Sequence, residues 1–208
     1  REWVDMMLSF AGAKGSIQDG MRSLAFEWVS TIAESKAKAL TKAVPDLPSK
    51  ALETAFVFLT EVEEDEGWRR VDEDEEEDDD DTLHKAGEAK VDFFVKKLGF
   101  DQTRKPLWAL VQRHASNERW EGRLAAAMAL RASVEFVDDP AALDAMATLL
   151  LELAKDQHMR VRYAALLALG QICHDQDAAF HNRWHGRLIP RLVGACGDPV
   201  DRVAAMAA

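Results

Sequence analysis

The chain of 208 residues is poor in the residues that build sheets and in those that staple small domains. Isoleucine occurs 4 times and tyrosine once, and valine and isoleucine together number 19 against 55 for alanine and leucine. Small and straight-chain apolar residues favour helix, whereas β-branched and aromatic residues favour strand, so this balance excludes an all-β protein. Two cysteines, Cys173 and Cys196, cannot form a disulfide framework and fit a reducing compartment. No apolar run exceeds the 7 residues at 124–130, far short of the roughly 20 that a membrane-spanning helix needs, so no membrane partner is expected. No stretch reads as a signal peptide or a lipidation motif.

Motifs of chemistry are missing as well. The chain holds no glycine-rich dinucleotide or Walker-type phosphate loop, no nucleophile elbow and no His-Glu-x-x-His, so neither catalytic residues nor cofactors are expected. His181 and His185 stand four apart beside Cys173, His174 and Asp175, which is metal-ligand spacing, but a third ligand at fixed geometry is not evident and no metal is expected. None of the six histidines is followed by glutamate. Cys173, next to Ile172 on an apolar face, reads as a small core residue.

Charge is present but unevenly placed. Of the net −11, the segment 61–81 carries −13, with 15 carboxylates and 2 arginines, which leaves +2 for the other 187 residues. Scattered bases on so neutral a body make no nucleic-acid stripe. Within the segment stand Glu63, Glu64, Asp65, Glu66 and Trp68. They are followed by ten consecutive carboxylates: Asp72, Glu73, Asp74, Glu75, Glu76, Glu77, Asp78, Asp79, Asp80 and Asp81. Such a run has almost no apolar surface to bury and repels itself, so it should be mobile when free, and a polycation would feel its charges together. The acids lack the glycine turn of an EF-hand. A solvated loop that only aids solubility accounts for such a run equally well. Trp68, an aromatic inside an acidic loop without an obvious core to join, is more typical of a docking contact.

Self-similarity organises the rest. Arg162-Tyr163-Ala164-Ala165-Leu166-Leu167-Ala168-Leu169 echoes Arg123-Leu124-Ala125-Ala126-Ala127-Met128-Ala129-Leu130, 39 residues earlier. Asp198, Arg202, Val203 and Ala207 echo Asp156, Arg160, Val161 and Ala165, 42 residues earlier. Arg22 and Ala25 repeat the Arg-x-x-Ala spacing. A period near 40 with a small-residue helix marks an all-α HEAT-repeat solenoid, an α-α superhelix of about five antiparallel helix pairs. Val161, Ala165, Ala168, Leu169 and Ile172 share one helical face, and Leu143, Met146, Leu150 and Leu153 form the stripe of the preceding helix. Helices are expected near 2–12, 18–43, 48–63, 82–98, 104–115, 119–136, 140–155, 158–174, 182–195 and 199–208. Gly99, Gly170 and Gly197 sit where helices should stop, and Pro190 should kink or restart one. The whole of 1–208 then reads as a single array, a portion of a longer solenoid, with an acidic loop at 64–81 inserted between two helices of one repeat. Trp28, Trp120 and Arg123 read first as packing between repeats. Arg160, Arg162 and Arg202 read as bridges to Asp156 or Asp198 rather than phosphate ligands.

Several stretches carry a family resemblance. Glu63-Glu64-Asp65-Glu66-Gly67-Trp68, the acidic run, His84-Lys85-Ala86-Gly87-Glu88-Ala89 and Leu98-Gly99 resemble one stretch of the karyopherin-β (importin-β) family, most of all its importin beta-3 branch, also called importin-5. Trp120-x-x-Arg123 with Ala126 and Ala129-Leu130 is similar to that family's Trp-x-x-Arg helix. Residues 156–165, Gly170-Gln171, Phe180 and His185 follow the branch as well. The resemblance implies nuclear import: binding of basic cargo bearing nuclear localisation signals, of Ran-GTP, and of phenylalanine-glycine nucleoporins, with shuttling between cytoplasm and nucleus. Among this chain's residues it points to the acidic segment 63–81, with Trp120 and Glu121 as inner-face contacts. Two other readings fit the same residues, a HEAT scaffold of a multiprotein complex and an acidic chaperone for basic proteins such as histones or ribosomal proteins.

Overall fold

A computed structural model describes residues 1–64, 67–69, 82–176 and 178–208, and among them the secondary structure is helical throughout. Ten helices follow in order: α1 (Glu2–Ala11), α2 (Asp19–Ala43), α3 (Leu47–Leu59), α4 (Leu83–Leu98), α5 (Phe100–Ala115), α6 (Trp120–Ser133), α7 (Pro140–Leu153), α8 (Met159–Asp175), α9 (Ala178–Ala195) and α10 (Asp201–Ala207). Single 3-10 turns lie at Gly67–Arg69 and Val134–Phe136. Consecutive helices pack as pairs, α1 with α2 through α9 with α10. The second helices, α2, α4, α6, α8 and α10, then stack one on the next more closely than most of the first helices do, so the superhelix curves toward them.

Alanine makes that closeness possible. Ala125, Ala126, Ala127 and Ala129 of α6 and Ala165 and Ala168 of α8 are fully buried, and without long side chains the axes approach. Leucine and phenylalanine fill what remains, with Phe26 stacked on Phe94 at 5.6 Å and edge-on to Phe58 at 5.5 Å, which links α2, α3 and α4. At one crossing even alanine is too large. A Cβ on Gly87 would stand 2.8 Å from the Leu59 amide nitrogen and 2.9 Å from the Ala55 carbonyl, so α4 can cross α3 there only as glycine. Gly99, at φ 88°, turns α4 into α5 within one residue.

Repeats are locked by arginines at the starts of the second helices. Arg123 donates two bonds to Asp156 (2.6 and 2.8 Å) and two to the carbonyls of Asn117 and Glu118. Thirty-nine residues on, Arg162 does the same with Asp198 (2.7 and 2.8 Å) and the carbonyls of Asp156 and Gln157. Asn117, Asp156 and Asp198 each accept the amide two residues ahead, closing the turn into the second helix. Near the other end Arg22, fully buried, pairs with Glu61 and donates to the Ala11 carbonyl at 2.9 Å.

Boundaries depart from the sequence reading in instructive places. Gly170 lies inside α8, because an isolated glycine weakens a helix without ending it when its flanks are buried. α9 starts at Ala178 and runs through Pro190 to Ala195. The residue four before that proline, where its ring would crowd the helix, is Gly186, which has no side chain and open space around its Cβ position. α2 instead breaks its geometry at Lys36 (φ −140°, ψ 36°) with no proline nearby. α5 begins at Phe100 and carries Pro106 internally, and α3 ends at Leu59, short of the acidic residues that follow.

Candidate functional site

The segment 60–82 joins the two helices of the second pair and begins and ends over the layer of second helices. Asp65, Glu66 and Asp72 through Asp81 fall outside the described residues, so of the acidic candidates Glu63, Glu64 and Trp68 have a described place. Glu63 and Glu64 are exposed. Glu63 lines a broad cleft of about 1020 Å³ with Asp19, Glu61, Lys85, Arg119 and Glu121.

Trp68 is not the free aromatic that its sequence context suggested. Its ring is half-buried against the chain's own inner surface, edge-on to Tyr163 at 5.2 Å. Arg160 of α8 and Arg202 of α10 hold their guanidinium carbons 5.2 and 5.1 Å from the indole centroid, and Arg202 donates to the Trp68 carbonyl at 3.4 Å. Of the three arginines read as bridges, Arg162 is one, whereas Arg160 and Arg202 converge on Trp68. The 42-residue echo that pairs Arg160 with Arg202 was the signal for this. Only the partner, lying in an insertion, was hidden from the periodicity.

Trp120 and Glu121 open α6 at the same level. Trp120 stacks on His158 at 4.0 Å, nearly parallel, with Arg160 5.8 Å away on α8. Aromatic rings and guanidiniums thus alternate up the inner face: Trp120, Arg160, Trp68, Arg202. Burial alone would raise the Glu121 carboxyl. The Arg119 bond at 2.6 Å, its own backbone amide and the charge of Lys14 hold it below its ordinary value. Burial pushes the Glu88 carboxyl up, although Arg131 at 3.0 Å opposes it. His158 is lowered mainly by burial, with the Glu64 carboxylate pulling the other way.

The histidines considered for metal have other neighbours. His181 places Nε2 2.8 Å from the Cys173 carbonyl, and His185 places Nδ1 3.2 Å from that of His181. Among the described residues no group of three potential ligands converges. Cys173 is half-buried against the core, and burial raises its thiol. Trp28, read as packing between repeats, is instead 41% exposed.

An importin-repeat family model matches residues 14–104, which includes the acidic segment, and a HEAT-repeat model matches 147–176. Importin subunit beta-3 of Saccharomyces cerevisiae is 26% identical over 200 residues, 92% of this chain and 18% of its own length. By these matches the chain resembles the karyopherin-β superfamily along nearly its whole length. Solved structures agree in fold: Kap121p bound to Pho4p superposes with a TM-score of 0.88 at 22% identity, over 99% of this chain and 20% of that one. Kap121p bound to RanGTP gives 0.87 at 23% identity, again over 99% of this chain and 21% of that one. The chain therefore spans about a fifth of the length of the relatives it matches.

Proposed function

We propose that the chain serves nuclear import as part of a transport receptor, a binding protein rather than a catalyst. It would bind basic cargo and Ran-GTP across the inner face, and shuttle between cytoplasm and nucleus. The observation that carries this reading is the importin-repeat match over 14–104, which takes in a segment of −13 charge whose described residues Glu61 and Glu63 line the cleft on that face. Kap121p, the structural relative, has been captured with Pho4p, with Nup53p and with RanGTP. A lysine-rich cargo segment would be drawn to Glu63, Glu64 and the carboxylates beyond them, with contributions from Glu61 and Glu121 in the cleft. On the opposite side, a hollow of about 530 Å³ between α5 and α7, lined by Phe100, Leu107, Trp108 and Met146, suits the phenylalanines of nucleoporin repeats.

The test is binding of this chain to Ran loaded with GTP and with GDP, and to a lysine-rich signal peptide, with 63–81 intact or deleted. A preference for GTP, or release of peptide by Ran-GTP, supports the receptor reading. Peptide affinity should fall on deletion and fall steeply with salt, because closely spaced surface charges act within a screening length of about 8 Å at 0.15 M. Loop-dependent binding blind to Ran would favour chaperoning of basic proteins. No loop-dependent binding to either would favour a scaffold.

A further inference from the structure

The seat of Trp68 has a charge opposite to that of the segment that fills it. Arg160 and Arg202 face the indole, Tyr163 closes one edge, and the main chain of the inserted segment is held by Arg202. Beside the indole a cavity of about 390 Å³ continues between α4, α6 and α8. Its floor is apolar, with Leu124, Met128 and Leu167, and its rim carries Lys85, Arg131, Arg160 and Arg202. The rim also carries Glu88, which accepts a bond from Arg131. A lysine-rich ligand would meet four cations here. An aromatic side chain flanked by carboxylates would meet two guanidiniums, a phenol ring and an apolar floor, and the chain's own sequence Glu63-Glu64-Asp65-Glu66-Gly67-Trp68 has that composition.

We infer that the Arg160–Tyr163–Arg202 seat is a binding site for an acidic peptide bearing an aromatic residue, and that Trp68 occupies it in the free chain as a built-in competitor. The residues of the seat come from two successive repeats, α8 and α10, so its width follows the stacking of those helices. A cation over an indole attracts through the ring quadrupole, and two of them give the seat its preference for tryptophan over a smaller ring. Because Trp68 is tethered, it competes at a high effective concentration, and a partner must exceed it to enter. The seat adjoins the cleft proposed for basic cargo and shares Trp68, Lys85, Arg160 and Arg202 with it, but the two ligands are opposite in charge, so each reading can fail without the other.

The probe is the hexapeptide Glu-Glu-Asp-Glu-Gly-Trp, capped at both ends and labelled, added in trans and followed by fluorescence anisotropy. The Trp68→Ala chain should bind it at least about tenfold more tightly than the unaltered chain, because the tethered competitor is gone. Adding Arg160→Met and Arg202→Met to Trp68→Ala should abolish that gain, as should replacing the peptide's tryptophan by alanine. Trp68→Lys, which sets a cation against the two guanidiniums, opens the same seat by a second route and should behave like Trp68→Ala. Equal binding to altered and unaltered chains, binding to neither variant, or equal binding of a peptide with lysines in place of its acids would each overturn the proposal.

Discussion

Arg22 shows how much one buried charge can hold. Its guanidinium is fully buried, bonded to Ala11, Asp19 and Glu61, and lies 5.0 Å over the Phe58 ring, so one side chain ties α1, α2 and α3 together. The Glu61 hydrogen bond is the main reason its proton is held more tightly than usual. Arg22→Met leaves the largely buried Glu61 carboxylate without its main partner and should cost about 3–5 kcal/mol in urea unfolding, whereas Arg22→Met with Glu61→Leu should recover most of it. A double variant no better than the single one would show that the bond to Ala11 matters more than the pair. Acid should act through the repeat bridges. Burial alone would raise Asp156 and Asp198, but the bidentate Arg123 and Arg162 and the adjacent amides outweigh it and hold both below the ordinary carboxylate range. Their stabilisation is therefore complete above the unfolded value of about 4 and lost as pH falls through the lower folded value. In thermal unfolding from neutral pH downward, Asp198→Asn should flatten the acid limb. An unchanged slope would place acid sensitivity elsewhere.

Between helices, fit is decided by single atoms. Gly87→Ala puts a methyl group under 3.0 Å from backbone of α3, which cannot swing aside as a side-chain tip would. The pair must separate, and roughly 1–3 kcal/mol of overpacking should appear as a lower urea midpoint. Gly20→Ala, in open space on α2, serves as the control and should be neutral or slightly stabilising. The apolar stripes of α7 and α8 were readable in advance because core periodicity is written in every turn: Leu143, Met146, Leu150, Val161, Ala165 and Ile172 are all buried. Gly170 and Pro190 misled because local propensity weighs about 1–3 kcal/mol, less than the burial of a whole helical face. The bidentate bonds of Arg123 and Arg162 were half-visible as a repeat spacing. The docking of Trp68 was not, since no spacing rule relates an insertion to Arg202, 134 residues further along the chain.

Across the molecule, a solenoid is stabilised by each pair covering its neighbour, and a pair with one side uncovered shows apolar surface. At the α1–α2 side Trp3 is 67% exposed and Leu24 70%, with Phe10, Met21 and Trp28 also open to solvent. Ile189 and Val193 are exposed on α9, well away from them. Five large apolar side chains exposed on two helices packed against each other favour association in water. Two chains meeting through α1 and α2 would bury these tryptophans without disturbing the bridges at Asp156 and Asp198. The net charge of −11 opposes such contact at low salt and is screened at high salt, so association should rise with ionic strength. Light scattering across a concentration series should show a dimer that grows with salt and disappears with Trp3→Glu and Leu24→Glu. A basic-cargo contact with the acidic segment would move the opposite way, weakening as salt rises. One titration in salt therefore separates the two surfaces, and a dimer that weakens with salt would place it on the charged inner face instead.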